Sequence, residues 1–75
     1  MEINDFIKNF ADQFEDTDPR EINSATLFHD LDECDSLIAL AVLNIIEKKY
    51  SKKVTFDEMK KCKTVEDLFN LVAAK

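Results

Sequence analysis

The sequence predicts an all-α fold: a four-helix bundle with three main helices, a short third helix and a long first loop. Glycine is absent and Pro19 is the single proline, so the chain is poorly equipped for the tight turns of β-hairpins. Apolar residues recur at helical spacing, and two Thr-x-x-acid motifs are typical of helix starts. The 75 residues suffice for one small domain, 1–75, in which a deep enzymatic cleft is hard to build.

The first predicted helix begins at the N-terminus and ends near Glu15. Its apolar residues share one face, and most polar residues lie on the other. We interpret the apolar stripe as core, and it consists of Ile3, Phe6, Ile7, Phe10, Ala11 and Phe14.

A long connection, 16–35, follows this helix. Asp18-Pro19 disfavours helical backbone at Asp18, and connections of this length are usually functional or disordered. The connection contains apolar residues, so we expect it to lie across the core, where a turn of helix around Ser24 to Phe28 can form. These apolar residues are Ile22, Leu27, Phe28 and Leu31.

The second predicted helix runs from Ser36 to Tyr50 and is apolar nearly all round. Such a helix is either buried or presents an apolar face to a partner. We assign one face to the core, namely Leu37, Leu40, Leu43, Ile46 and Tyr50. A second stripe, Ile38, Ala41 and Ile45, leaves two interpretations open: a docking surface, or a face covered by a neighbouring loop or helix.

Two capping motifs predict the last two helices. Thr55 and Glu58 have the spacing of a capping box, which predicts a short third helix ending near Lys61. Thr64 and Asp67 open the fourth helix in the same way. The inner face of that helix is predicted to contain Val65, Leu68, Phe69 and Val72.

The composition disfavours several classes of function. A net charge of −6 repels nucleic acids and anionic lipid headgroups and favours partners with basic docking patches. The longest apolar run, 37–43, is far shorter than the ~20 residues of a membrane span. Cys34 and Cys62 fit neither a metal-site spacing nor a disulfide framework. We therefore expect a cytoplasmic monomer with free thiols, no nucleic-acid partner and no membrane insertion.

The segment before the second helix carries the most informative chemistry. Acidic residues in 30–35 are followed directly by Ser36 and an apolar helix. A phosphate diester on Ser36 would be stabilised by the free amides and partial positive charge of a helix N-terminus. From Asp35-Ser36 alone a plain helix start is the better interpretation, because both residue types are favoured N-caps. An EF-hand counted from Asp30 is excluded, because it would need a bidentate acid at Ala41, and no metal site is expected.

Asp35-Ser36-Leu37, opening the second helix after a long loop, resembles the acyl carrier protein family over nearly the whole chain. In that family the serine of an Asp-Ser-Leu motif receives 4′-phosphopantetheine. The resemblance implies an acyl-carrier-like bundle with the covalent arm on Ser36, attached by a phosphopantetheinyl transferase. It also implies that the chain presents thioesters to acyl-transferring or acyl-activating enzymes and is not itself an enzyme. His29, the only histidine, has no spacing that would make it a base for Ser36.

The chain departs from the family pattern at two places. The usual pattern has a glycine shortly before Asp-Ser, whereas segment 31–37 is one residue longer and has none, so its turn should differ in shape. The second helix carries fewer acids on its outer face than is usual for fatty-acid biosynthesis. We therefore predict a more apolar partner-binding face, formed by Ile38, Ala41, Ile45, Glu47, Asp57 and Glu58.

This difference favours a specialised carrier over the general fatty-acid carrier of the cell. A dedicated lipid, polysaccharide or secondary-metabolite pathway is the expected setting. The alternative is a small helical adaptor, or a carrier fold without the arm, that docks through Ile38, Ala41 and Ile45. The adaptor predicts no modification of Ser36.

Overall fold

The computed structural model describes residues 2–75 and contains four α-helices. They are α1 (Ile3–Ala11), α2 (Ser36–Tyr50), α3 (Phe56–Lys61) and α4 (Val65–Ala74). Two single 3-10 turns, Pro19–Glu21 and Phe28–Asp30, lie in the long connection between α1 and α2. The described residues form no strand, only one isolated bridge between Leu27 and Thr64. The predicted all-α, four-helix fold is confirmed.

The core is formed by all four helices together with the long connection. Phe6 of α1 packs edge-on against Phe69 of α4, with ring centroids 5.5 Å apart. Phe10 packs against Phe28, which comes from the connection and is fully buried. Ile22 of the same connection is also buried. The prediction that this segment lies across the core is therefore confirmed at Ile22 and Phe28, whereas Leu27, which was expected to share that role, is 50% exposed.

Helix α1 is shorter than the sequence predicts, since it ends at Ala11 and not near Glu15. The amides of Gln13 and Phe14 donate to the carbonyl oxygens of Phe10 and Ala11, at 3.2 and 3.0 Å. These three-residue spacings tighten the last turn beyond the regular helix. Phe14 remains buried, so the apolar periodicity continues past the point where the α-helix ends.

The helical turns of the connection, at 19–21 and 28–30, share only Phe28 with the turn predicted at 24–28. The reason is that residues 24–26 hydrogen bond to α4. Its first amides, on Val65 and Glu66, donate to the carbonyl oxygens of Thr26 and Ser24, at 3.1 and 2.9 Å. The N-terminal amides of a helix lack acceptors within the helix, and here the connection supplies acceptors for two of these amides.

Helix α2 has the predicted bounds, but its inner face is not the predicted one. The buried residues are Ala39, Val42 and Ile46, whereas Leu37 is 74% and Leu40 55% exposed. The assignment of Leu37 and Leu40 to the core is therefore wrong. A helix that is apolar nearly all round gives no clear periodic signal, so its rotation about its own axis could not be derived from the pattern.

Helices α3 and α4 begin as predicted. The Thr55 hydroxyl accepts a hydrogen bond from the Glu58 amide at 3.1 Å, and the Glu58 carboxylate accepts one from the Thr55 amide at 3.0 Å. Thr64 and Asp67 form the same reciprocal pair, with both bonds at 3.1 Å. On α4 the predicted inner residues are buried, apart from the half-buried Phe69. Along residues 2–75, no helix is long and apolar enough to cross a membrane.

Candidate functional site

Ser36 is the first residue of α2 and is exposed. Asp35 is the N-cap, with extended backbone (φ −101°, ψ −173°), and its carboxylate accepts a hydrogen bond from the Ile38 amide at 3.0 Å. Within the described chain, the amides of Ser36 and Leu37 have no hydrogen-bond partner. A group attached to the Ser36 side chain would therefore lie beside free helix N-terminal amides, which favour an anion.

The turn that leads into Ser36 has a regular backbone without glycine. The Cys34 amide donates to the Leu31 carbonyl oxygen and the Asp35 amide to that of Glu33, both at 2.9 Å. Ser51 is the one residue with positive φ in the described part of the chain, so none of the residues 31–35 needs the freedom that glycine provides. This geometry explains how the turn forms without the glycine of the usual pattern.

A carboxylate in this turn ties it to the segment that follows α1. The Glu33 carboxylate accepts hydrogen bonds from the amides of Glu15 (2.7 Å) and Asp16 (3.0 Å) and from the Thr17 hydroxyl (2.8 Å). Desolvation acts to raise the pKa of Glu33, but the hydrogen bonds from Asp16, Thr17 and Glu15 together outweigh it and lower the pKa below its ordinary value. Sequence reasoning missed this contact, because its partners lie 16–18 residues away.

An open groove of about 370 Å³ lies beside Ser36, between α2, α3 and the Phe28–Asp30 turn. Its lining contains His29, Cys34, Asp35, Ser36, Ala39, Phe56, Met59 and Lys60. Lys60 supplies a cation, and its Nζ lies 5.5 Å from the centroid of the Phe56 ring. An exposed hydroxyl, free amides, a cation and apolar walls all fit a covalent arm that is anionic where it joins the chain.

The comparisons with known proteins support this fit. A family model described as "phosphopantetheine attachment site" matches residues 5–72. The chain belongs to this family. The resemblance to acyl carrier proteins is confirmed, and domains of this family carry a covalently attached 4′-phosphopantetheine and are generally non-catalytic. Neither a curated protein nor a solved structure matches the chain.

The nucleophilic side chains around the attachment site are not activated. The carrier domain's His29 shares the groove with Ser36, but its Nε2 lies 3.0 Å from the Cys62 carbonyl oxygen. Since a carbonyl oxygen can only accept, Nε2 donates to it, and neither ring nitrogen hydrogen bonds to Ser36 in the described structure. Both cysteines are free, and desolvation raises the pKa of each thiol. Cys34 and Cys62 are therefore held as neutral thiols, which are poor nucleophiles.

The residues predicted to bind partners do not form one open face. Ile38, Ala41 and Ile45 are half-buried, and Ile45 lines a small apolar gap together with Phe6 and Tyr50. Glu47 and Asp57 are exposed. The carboxylate of Glu58 is occupied by the α3 capping box and by an ion pair with Lys75 at 2.9 Å.

The most exposed large apolar side chains of α2 are instead Leu37 and Leu40. They follow Ser36 by one and four residues, so they lie close to it on the N-terminal part of the helix. The sequence contained the signal for Leu37 in the Asp-Ser-Leu motif. The sequence contained no signal for the exposure of Leu40 or for the position of Lys60 in the groove, because both depend on how α2 and α3 pack.

Proposed function

We propose that Ser36 carries the 4′-phosphopantetheine arm and that the chain is an acyl carrier protein holding acyl intermediates as thioesters. One observation carries the proposal: Ser36 is exposed at the first position of α2, in a chain whose family is defined by phosphopantetheine attachment. The arm supplies the thiol on which thioesters form. The protein supplies the tether point and the surfaces beside it.

Each residue at the site has a role in this proposal. Ser36 provides the oxygen that is joined to the phosphate, while the Asp35 cap fixes the start of α2 beneath it. The free amides of Ser36 and Leu37 and the Lys60 ammonium group favour the negative charge of a phosphodiester. Since neither ring nitrogen of His29 hydrogen bonds to Ser36 in the described structure, we assign removal of the Ser36 hydroxyl proton to the modifying transferase.

Partner enzymes are proposed to contact the surface around Ser36. Leu37 and Leu40 supply its exposed apolar part, which suits partners that bind by apolar contact. We keep the sequence-based prediction that Ile38, Ala41 and Ile45, together with Glu47, Asp57 and Glu58, contribute around it. The partners are a phosphopantetheinyl transferase and acyl-transferring or acyl-activating enzymes.

The apolar character of this surface supports a specialised carrier. A dedicated lipid, polysaccharide or secondary-metabolite pathway is the proposed setting. The proposal includes a single carrier domain, 1–75, that has no catalysis of its own and works as a cytoplasmic monomer. Its two free cysteines, Cys34 and Cys62, suit a reducing compartment.

A helical adaptor without the arm is the second candidate. The exposed side chains of Leu37 and Leu40 favour it, because they could serve a docking surface that needs no covalent group. The adaptor would work equally well without the Ser36 hydroxyl. The carrier and the adaptor therefore differ in whether Ser36 is modified.

The test is to incubate the purified chain with coenzyme A and a broad-specificity phosphopantetheinyl transferase and to measure the intact mass. We expect the addition of one phosphopantetheine to the wild type and to the control variant Ser24→Ala, and none to Ser36→Ala. A wild type that stays unmodified with several transferases would favour the adaptor.

A further inference from the structure

Glu33 connects two segments of the long connection that are far apart in sequence. Its two carboxylate oxygens accept from three groups just after α1: the Glu15 amide, the Asp16 amide and the Thr17 hydroxyl. The distances of 2.7–3.0 Å are those of good charge-assisted hydrogen bonds. One side chain thus binds the segment 15–17, after α1, to the turn that precedes α2.

The turn 31–35 has few other attachments to the rest of the molecule. Leu31 and Cys34 pack partly against the core, and the Leu31 amide donates to the carbonyl oxygen of Phe28 at 3.2 Å. Two further backbone hydrogen bonds close the turn on itself. Within residues 2–75, no side chain of this turn other than Glu33 hydrogen bonds to residues before it. No left-handed residue fixes its shape either. The position of the turn therefore depends strongly on the Glu33 carboxylate.

The reacting serine lies three residues after Glu33, and its N-cap, Asp35, lies two residues after it. The Asp35 amide donates to the Glu33 carbonyl oxygen at 2.9 Å. A shift of the turn at Glu33 is thus transmitted through one backbone hydrogen bond to the residue that caps α2. This path connects the segment 15–17 to the site of modification.

We infer that Glu33 is a positioning residue for the modification of Ser36, holding the turn in the one arrangement that a phosphopantetheinyl transferase can dock. This inference rests on the proposed function. Glu33 does not contact the reacting oxygen; it acts through the turn and the Asp35 cap.

The expected kinetic effect follows from the populations of the turn. When only a fraction of carrier molecules has the dockable turn, the affinity of the transferase falls by that fraction. Once docked, the turn is held by the enzyme, so the chemical step is unchanged. Loss of the carboxylate should raise the KM for the carrier and leave kcat nearly as it was.

The experiment measures KM and kcat for the carrier at saturating coenzyme A, well below the unfolding temperature. We expect Glu33→Ala to raise KM about threefold to tenfold with little change in kcat, and Glu33→Gln, which keeps one acceptor oxygen, to recover part of the loss. Asp32→Ala is the matched control. Asp32 is the neighbour of Glu33 and carries the same charge, but its side chain makes no hydrogen bond in the described structure. The Asp32→Ala variant should therefore keep the wild-type KM.

Hydrogen exchange gives a second readout that does not depend on the enzyme. In Glu33→Ala, the amides of Glu15, Asp16 and Asp35 should exchange faster, while those of α4 keep their wild-type protection. Should Glu33→Ala fail to fold, Thr17→Val decides the question, because it removes one donor without touching the turn. It should raise KM by a smaller factor.

The possible results have different meanings. A wild-type KM for a folded Glu33→Ala variant would overturn the positioning role and leave the proposed function intact. If Glu33→Ala does not fold, a wild-type KM for Thr17→Val would have the same meaning. A KM rise equal to that of Asp32→Ala would overturn it too, since only charge would matter. A wild type that is never modified would instead refute the proposed function.

Discussion

The Asp35 carboxylate accepts a hydrogen bond from the Ile38 amide at 3.0 Å, and this contact makes Ser36 the first residue of α2. We expect Asp35→Ala to lower the free energy of unfolding by about 1 kcal/mol, because an N-cap acceptor is lost. Asp35→Asn keeps the acceptor and should remain near the wild type. Urea unfolding followed by circular dichroism measures both variants, and an Asp35→Ala variant as stable as the wild type would show that the cap is unimportant.

The exposed and half-buried residues of α2 should respond differently to a charge. Leu40→Asp should leave the fold intact and weaken use of the carrier by a transferase, because Leu40 is 55% exposed near Ser36. Ile45→Asp should instead lower stability by about 1–3 kcal/mol, because it places a charge in the apolar gap beside Phe6 and Tyr50.

Thermal unfolding and transferase kinetics on both variants separate the two effects. Wild-type kinetics for a folded Leu40→Asp variant would show that this residue lies outside the docking surface. A stable Ile45→Asp variant with impaired kinetics would show that Ile45 acts in docking and is not needed for the core.

Local signals explain which parts of the fold could be predicted from the sequence. The starts of α3 and α4 were predicted correctly, because a capping box such as Thr55 with Glu58 is complete within four residues. The end of α1 was predicted too late, because Phe14 continues the apolar spacing after the helix has ended. The orientation of α2 could not be derived, since nearly every position from 37 to 46 is apolar.

The same distinction applies to the candidate site. Ser36 was predicted from a three-residue motif, and the structure shows it exposed at the start of α2. The Glu33 contact joins residues 16–18 positions apart, and the place of Lys60 in the groove depends on how α3 packs against α2. Neither feature has a local pattern, so only the folded chain shows them.

Acid should destabilise the fold through carboxylates that accept hydrogen bonds. The Thr55 amide first, and then Lys75, lower the pKa of Glu58, while the amides of Thr64 and Lys63 lower that of Asp67. At acidic pH the unfolded chain therefore binds more protons, so stability rises with pH. The stability contributed by these two carboxylates should be fully present above their ordinary pKa values, 4.5 for Glu58 and 3.8 for Asp67. It should be lost as the pH falls through the lowered pKa values of the folded chain.

Urea unfolding at a series of pH values from neutral to about 3 tests this dependence. Glu58→Gln and Asp67→Asn should each flatten the acid limb of the stability curve, because the substituted group no longer titrates. Solvent exposure of Asp67 limits the size of its effect. An acid limb that is unchanged in both variants would assign the loss of stability to other groups.

Ser51 ends α2 in the left-handed conformation, with φ 56° and ψ 32°. A residue with a Cβ is disfavoured there by about 1–2 kcal/mol, whereas glycine is not. Ser51→Gly should therefore raise the free energy of unfolding by about 0.5–1 kcal/mol after the added entropy of the unfolded chain is subtracted. Lys53→Gly, at a residue without positive φ, is the control and should lower stability. Urea midpoints that fall for both variants would contradict the prediction.

Locating the arm on the chain tests the account most directly. Trypsin releases the peptide 21–48, which contains three hydroxyl-bearing residues: Ser24, Thr26 and Ser36. After reaction with coenzyme A and a transferase, tandem mass spectrometry of this peptide should find the phosphopantetheine mass on Ser36 alone. Modification at Ser24 or Thr26, or a peptide that remains unmodified, would contradict the assignment of Ser36 as the attachment residue.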